Sequence, residues 1–154
     1  MGRQMMKNNM NRIKARSGFT LVELIAVMAI LAILLLIAVP QMMGYIEAAH
    51  KATARTEIQI VADASQRYLD DLWEKENGKV PVGKVLKLMN LDLSEPDGVL
   101  VDYLSGGLRD ARIIMVAVDM DSGRLVEIEY QTKYTKVTMT IDAEGNRTLD
   151  DDGS

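Results

Sequence analysis

The sequence contains no cysteine and only one histidine, His50. Without cysteine the fold has no disulfide, and no thiolate is present to act as a nucleophile or as a zinc ligand. Without a second candidate base, no acyl-transfer triad can be built. The composition therefore excludes several catalytic chemistries before any motif is considered.

Acidic side chains are absent from the first 18 residues, which carry five basic ones: Arg3, Lys7, Arg12, Lys14 and Arg16. The rest of the 154-residue chain holds 13 basic and 22 acidic side chains. Removing residues 1–18 would move the formal charge from −4 to −9. The pattern indicates a basic leader in front of an acidic chain whose length fits one domain.

Polar side chains are also absent from Leu24 to Val39, and the stretch from Phe19 to Val39 places 21 residues before Pro40. At about 1.5 Å per residue they form roughly 32 Å of helix, which matches a hydrocarbon layer of about 30 Å. The basic leader precedes this stretch, and no lysine or arginine follows it until Lys51. We therefore expect a single pass through the cytoplasmic membrane, with the N-terminus in the cytoplasm and the C-terminal domain outside.

Two simpler interpretations fit the apolar stretch less well. A cleaved secretory signal would need a small-x-small site just after it, but Ala38-Val39-Pro40 has proline where the last small residue should be. A plain signal anchor explains the length and orientation. It leaves Glu23 and the Ser17-Gly18-Phe19 junction without a role.

Glu23 places a carboxylate in an apolar helix. A charged side chain at such a position is costly, so we expect it to have a function and a partner of opposite charge. A cut between Gly18 and Phe19 would create an α-amine about 6 Å along the helix axis from Glu23. We expect that amine to be its partner.

The stretch Arg16-Ser-Gly-Phe-Thr-Leu-Val-Glu-Leu, with the apolar run and Pro40 behind it, resembles the class III signal of type IV prepilins. The same signal occurs in the pseudopilins of type II secretion and competence systems. The resemblance covers about 25 residues. It implies cleavage after Gly18, N-methylation of Phe19 and a role for Glu23 in assembly, where it would neutralise the amine of a neighbouring subunit or its own.

The resemblance also implies a set of partners. These are a prepilin peptidase, other pilin or pseudopilin subunits in a homo- or hetero-filament, an inner-membrane assembly platform with its cytoplasmic ATPase, and the lipid bilayer. Nucleic acid is not expected as a direct ligand. The protein would first reside in the cytoplasmic membrane and then in a surface or periplasmic filament.

The expected fold class is α+β, with a long N-terminal α-helix packed on a small antiparallel β-sheet, as in pilins. The helix is predicted over residues 19–77, with a transmembrane part at 19–39, a kink at Pro40 and an amphipathic part at 41–77. Asn77-Gly78 supplies the stop signal. Residues 78–154 are predicted to hold a connecting region with a helical turn near Val85–Met89, an antiparallel β-meander and an acidic tail.

The meander is predicted from the change to a period of two. The continuously apolar Ile113–Val118 is typical of a central strand. In the following strands one face is apolar, formed by Val126, Ile128 and Tyr130 and then by Val137, Met139 and Ile141. We expect the helix face that ends in Tyr68, Leu72 and Trp73 to cover this sheet.

Few other residues suggest a site. His50 is expected at a solvated surface position. Asp119-Met-Asp121-Ser-Gly123 resembles the start of a calcium loop, but its glycine comes one position early and no glutamate closes a twelve-residue loop. An ordinary hairpin turn is the main expectation, so no metal or cofactor is expected. Calcium at Asp119 and Asp121, with the tail 150–152, stays open as the alternative.

Two hypotheses about function remain. The first is a structural, non-enzymatic filament subunit. The second is a membrane-anchored extracytoplasmic binding or enzymatic module that uses the apolar segment only as an anchor. No cluster of titratable residues supports an enzyme. The sequence does not distinguish a pilus from a competence or secretion pseudopilus, although the lack of a C-terminal cysteine pair departs from many Gram-negative pilins.

Overall fold

The computed structural model describes residues 19–106, 108 and 110–151. Its contacts divide the chain into two compact units, with the boundary between Gln41 and Met42. The elements are helix α1 (Leu21–Lys75), helix α2 (Val82–Val85), a 3₁₀ turn (Leu86–Leu88), and strands β1 (Leu91–Asp92), β2 (Ala111–Asp119), β3 (Arg124–Thr132), β4 (Lys136–Ile141) and β5 (Arg147–Asp151). The predicted α+β class, with a long N-terminal helix packed on an antiparallel sheet, is confirmed.

Helix α1 ends where its sequence supplies a left-handed stop. Asn77 and Gly78 both have positive φ, at 54° and 78°. The Gly78 N–H donates to the Trp73 carbonyl at 2.9 Å, which is the six-to-one bond that closes a helix C-terminus. Lys75 in the last turn adds a favourable charge at the negative end of the helix dipole.

The sheet is a meander in which each strand is hydrogen-bonded to its neighbours in sequence, in the order β1-β2-β3-β4-β5. All four pairings are antiparallel. The core of the second unit lies between one face of this sheet and the buried stripe of α1. Its largest fully buried apolar side chains are Ile58, Val61, Leu69, Leu88, Leu100, Ile113, Ile128, Tyr130, Val137 and Met139.

Two bulges in the β2–β3 pair correct the predicted apolar face. In the first bulge, Ile113 and Met115 of β2 pair with consecutive residues of β3, so Ile114 is an extra residue in β2. In the second, Ala117 and Val118 pair with Glu127 and Leu125, so Val126 is an extra residue in β3. An extra residue shifts the side-chain period of two by one position. Leu125 is therefore buried and Val126 is exposed, the reverse of the expected alternation.

Gln66 of α1 binds the bulged end of β3 through both ends of its amide. Its Oε1 accepts a hydrogen bond from the Leu125 N–H at 2.8 Å, and its Nε2 donates to the Gly123 carbonyl at 3.3 Å. One amide side chain thus bonds a backbone donor of β3 and a carbonyl of the adjoining turn. The same contact fixes the β2–β3 turn on the helix.

Polar contacts hold the rest of α1 on the sheet. Arg55 donates to both carboxylate oxygens of Asp151 in β5, with its Nε at 3.0 Å from Oδ2. The fully buried Tyr130 donates its hydroxyl to Glu57 at 2.9 Å, and burial raises the pKa of Tyr130. Because these contacts join residues far apart in sequence, they fix the helix in one position on the sheet.

The connecting region, described over residues 79–106, packs against the same helix. Leu88, Leu93 and Leu100 are buried in the core. The Tyr103 hydroxyl donates to Asp71 Oδ2 at 2.6 Å, and this hydrogen bond together with burial raises the pKa of Tyr103 to about 12. The connecting region is therefore part of the packed second unit.

Trp73 contacts two glycines that both have positive φ. A Cβ built on Gly123 would lie 2.6 Å from Trp73 Cε3, and one built on Gly78 would lie 3.6 Å from Trp73 Cζ2. The close approach at Gly123 leaves no room for a side chain. The predicted packing of Tyr68, Leu72 and Trp73 against the sheet is observed, with the indole against the β2–β3 turn.

We expect Gly123→Ala to destabilise the second unit by about 1–3 kcal/mol more than Gly145→Ala, because only Gly123 adds a steric clash to the left-handed strain. Gly145 is the matched control, since its φ is 87° and nothing lies within 4 Å of a built Cβ. Urea unfolding of a chain that begins at Met42 measures the difference. Equal losses at the two glycines would show that the indole moves aside without cost.

Candidate functional site

The start of α1 is a capping box formed by Thr20 and Glu23. The Glu23 Oε2 accepts hydrogen bonds from the Thr20 N–H at 2.8 Å and from the Thr20 hydroxyl at 2.9 Å. The Thr20 Oγ1 accepts in return from the Glu23 N–H at 3.2 Å. Thr20 is thus the N-cap and Glu23 the third helical residue, which is the spacing that this motif requires.

The capping box turns the Glu23 carboxylate back towards the start of the helix, since side chains in a helix lean towards its N-terminus. The carboxylate reaches the backbone N–H of Thr20, the residue that directly follows Phe19. Phe19 itself is 89% exposed and precedes the first helical residue. An amine created on Phe19 would therefore lie one residue from a fixed negative charge.

The apolar segment behind this cap is not covered by the rest of the described chain. Its large side chains from Leu21 to Val39 are each at least half exposed. By length and composition the helix is apolar enough to cross a membrane. α1 continues through Pro40, which lies inside it, and the predicted kink there stays a prediction. An exposed apolar surface of this extent is typical of a segment that contacts lipid or packs on other helices.

The predicted cleavage site is only partly within the described residues. Gly18 and the whole basic leader lie outside them, whereas Phe19 and Glu23 lie inside. Cleavage after Gly18, methylation of Phe19 and the assembly role of Glu23 stay predictions. The structure adds that the helix begins at Leu21, so Phe19 and Thr20 precede its first turn.

Asp119 is the last residue of β2, and Asp121 lies in the hairpin turn between β2 and β3. Both oxygens of Asp119 accept hydrogen bonds, from the Asp121 N–H at 3.0 Å and from the Ser122 hydroxyl at 2.6 Å. These bonds lower the pKa of Asp119, with the Ser122 hydroxyl as the larger cause. Within residues 19–106, 108 and 110–151, no three histidine, cysteine or acidic side chains are grouped as metal ligands.

The other residues named from the sequence lie apart from the helix start. His50 is half-buried rather than solvated, because its ring stacks on Tyr134 with centroids 3.8 Å apart and planes 13° from parallel. Of the acidic tail, Asp150 and Asp151 belong to β5, and Asp152 lies outside the described residues. Asp151 pairs with Arg55, so it is part of the fold.

Thr20 is the residue at the helix start to which the sequence interpretation assigns no role, and the structure shows that it caps the helix. The signal was present as Thr20-x-x-Glu23 directly before an apolar run, which is the capping-box pattern. From the sequence alone, Glu23 has only one expected partner, the Phe19 amine of its own chain or of a neighbouring subunit. The structure gives it a local partner as well.

Comparison with known proteins agrees with the geometry at this end of the chain. Residues 13–39 match the family model described as a prokaryotic N-terminal methylation motif. No solved structure matches the chain. The match confirms the resemblance to the class III signal of type IV pilins and pseudopilins, and it supports a pilin-like precursor that is a substrate of prepilin peptidase.

We expect Asp119→Ala to lower the unfolding midpoint of a chain that begins at Met42 equally in calcium and in EDTA. Asp119→Ala removes the two oxygens that accept hydrogen bonds in the turn. Asp121→Ala is the control, because it leaves both of those oxygens in place. Because the folded pKa is lowered, the stabilisation is present above the unfolded pKa and is lost as pH falls through the folded value. A calcium-dependent rise in midpoint that both substitutions abolish would instead make these residues ligands.

Proposed function

We propose that the chain is a structural subunit of a type IV pilus-like filament, processed by prepilin peptidase and assembled through the apolar first part of α1. The observation that carries the proposal is the methylation motif at residues 13–39, which coincides with an unburied apolar helix whose first turn holds a carboxylate. The motif supports processing, and the unburied helix supports assembly.

Cleavage after Gly18 would leave Phe19 and Thr20 as the only residues before helix α1. The exposure of Phe19 supports access for a peptidase and then for a methyl donor at the new amine. Because the basic leader precedes the span, it would lie on the cytoplasmic side, where the cut would be made. The apolar segment would remain on the mature subunit.

Glu23 would have two successive partners. In the separate subunit its carboxylate accepts hydrogen bonds from Thr20, which reduces the cost of holding a charge in an apolar environment. In the filament the Phe19 amine of a neighbouring subunit would supply an opposite charge. A charge left unpaired among packed helices is strongly penalised, so the pairing would select the step between subunits.

The apolar surface of the first unit would be covered by two environments in succession, first before and then after assembly. In the cytoplasmic membrane it would be covered by lipid, with the second unit outside. In the filament it would be covered by the same segment of other subunits, after extraction by an assembly platform and its cytoplasmic ATPase. A membrane-tethered binding or enzymatic module would need only the first of these states, which makes the two hypotheses separable.

The mature chain should begin at Phe19 and carry a methyl group on its amine. Intact-mass and peptide mass spectrometry of the protein from its native membrane measures both features. Expression without a prepilin peptidase is the control, and there the N-terminus should remain at Met1. A native N-terminus at Met1, or one beyond Pro40, would contradict the proposal.

Glu23→Ala should be inserted and cleaved normally but should fail to assemble. The neighbouring Phe19 amine would then enter the apolar bundle without a counter-charge, at a cost of about 3–5 kcal/mol. Immunoblots of membranes report processing, and counts of sheared filaments, or the secretion or DNA-uptake readout of a short filament, report assembly.

Two variants separate the charge of Glu23 from its capping role. Glu23→Gln keeps an acceptor for Thr20 but removes the charge, and it should fail like the alanine variant. Thr20→Ala removes the cap, costs about 1 kcal/mol of helix stability and should still assemble. Normal assembly by Glu23→Gln would remove the proposed charge pairing, and loss of insertion by Glu23→Ala would contradict the assigned role.

A further inference from the structure

The second unit exposes apolar side chains at the start of its share of α1. Met43, Tyr45 and Ile46 are 69%, 77% and 51% exposed. Beside them the turn between β3 and β4 presents Lys133 and Tyr134. We call these five residues the interfacial patch.

The turn holds Tyr134 outward in a fixed position. The Thr132 hydroxyl oxygen accepts hydrogen bonds from the N–H groups of Tyr134 and Thr135, at 3.2 and 3.1 Å. One face of the Tyr134 ring stacks on His50, and Lys133 Nζ lies 5.7 Å from the ring centroid. Tyr134 as a whole is nevertheless 63% exposed. An aromatic ring fixed in this way costs little further conformational entropy when it binds.

A groove separates the turn from the helix. It has a volume of about 460 Å³ and is lined on the helix side by Met43, Gly44 and Ile46 and on the turn side by Tyr134 and Thr135. Nothing lies within 4 Å of a Cβ built on Gly44, so the groove is open there. Its rim carries Lys51, whose ammonium group pairs with Glu47 at 3.2 Å.

The chain connection places this surface close to a bilayer. Tyr45 follows Val39 by six residues in the sequence, so the chain between them spans at most roughly 22 Å even when fully extended. The headgroup layer on each side of the hydrocarbon is about 5–8 Å thick. Tyrosine is enriched in that layer, and lysine places its stem along apolar surface while its charge stays in water.

We propose that the interfacial patch docks into the headgroup layer of the membrane that anchors the chain. The groove takes phospholipid, with acyl carbons against Met43 and Ile46 and the phosphate near Lys51 and Lys133. The β3–β4 turn is then a second membrane contact beside the span. This inference rests on the membrane-anchored state of the proposed function and not on filament formation.

The chain has no cysteine, so a single introduced thiol reports one position. Full-length Thr135→Cys and Glu144→Cys are each labelled with a nitroxide and reconstituted in vesicles of phosphatidylethanolamine and phosphatidylglycerol. Glu144 is exposed in the β4–β5 turn, at the other end of β4, and is the matched control. Collisions with a water-soluble nickel complex, measured by electron paramagnetic resonance, report exposure to water.

We expect the collision rate to be severalfold lower at residue 135 than at residue 144. Adding Lys133→Ser and Tyr134→Ser to the Thr135→Cys chain should raise its rate to that of residue 144. Met120→Ser in the β2–β3 turn, which removes another exposed apolar side chain, should leave the rate at residue 135 unchanged. Equal rates at residues 135 and 144 would overturn the proposal.

Two further outcomes separate this inference from its alternatives. Protection at residue 135 that falls as lipid is added at constant protein would show a second copy of the chain in the groove, and it would overturn the proposal. Resistance to alkaline extraction reports the span separately, and an extractable chain would overturn both the docking and the membrane anchor. Protection in a chain that never forms filaments would support the patch while the filament proposal fails.

Discussion

The structure depends on an apolar helical segment that the described residues leave exposed. From Leu21 to Val39 the large side chains stay exposed, although burial of each would contribute about 1.5–3 kcal/mol. None of that stabilisation is gained within the described residues, and an exposed apolar surface of this size is typical of segments that contact lipid or other apolar helices. A charge is costly in an apolar environment, and the two hydrogen bonds from Thr20 give the Glu23 carboxylate local partners.

In the second unit, the C-terminal part of helix α1 buries one face instead of leaving its apolar side chains exposed. Its stripe of buried residues packs on the sheet, and charged or polar side chains around the rim fix the position. Arg55 with Asp151, Glu57 with Tyr130 and Gln66 with the bulged strand each join the helix to a different part of the sheet. Such directional contacts matter in a chain without disulfides, because apolar packing alone is not directional.

The sequence was sufficient for the features that depend on composition and period. The apolar run, the helix stop at Asn77-Gly78 and the order of hairpins can be predicted from local patterns. The structure confirms the stop and the hairpins, and the family match at residues 13–39 confirms the resemblance at the start of the chain. The burial of Leu125 in place of Val126 could not be predicted, since a bulge is set by pairing across strands. The stack of His50 on Tyr134 depends likewise on which turn meets the helix in three dimensions.

The bond between Arg55 and Asp151 joins residues that are 96 positions apart, and β5 is the last strand of the sheet. Helix α1 is synthesised before any strand, so its apolar stripe has no partner until the sheet follows it. Contacts of such long sequence separation slow folding, because the loop must close before they can form. The second unit therefore completes its fold only once β5 is present, and before that the apolar stripe of the helix has no sheet to cover it.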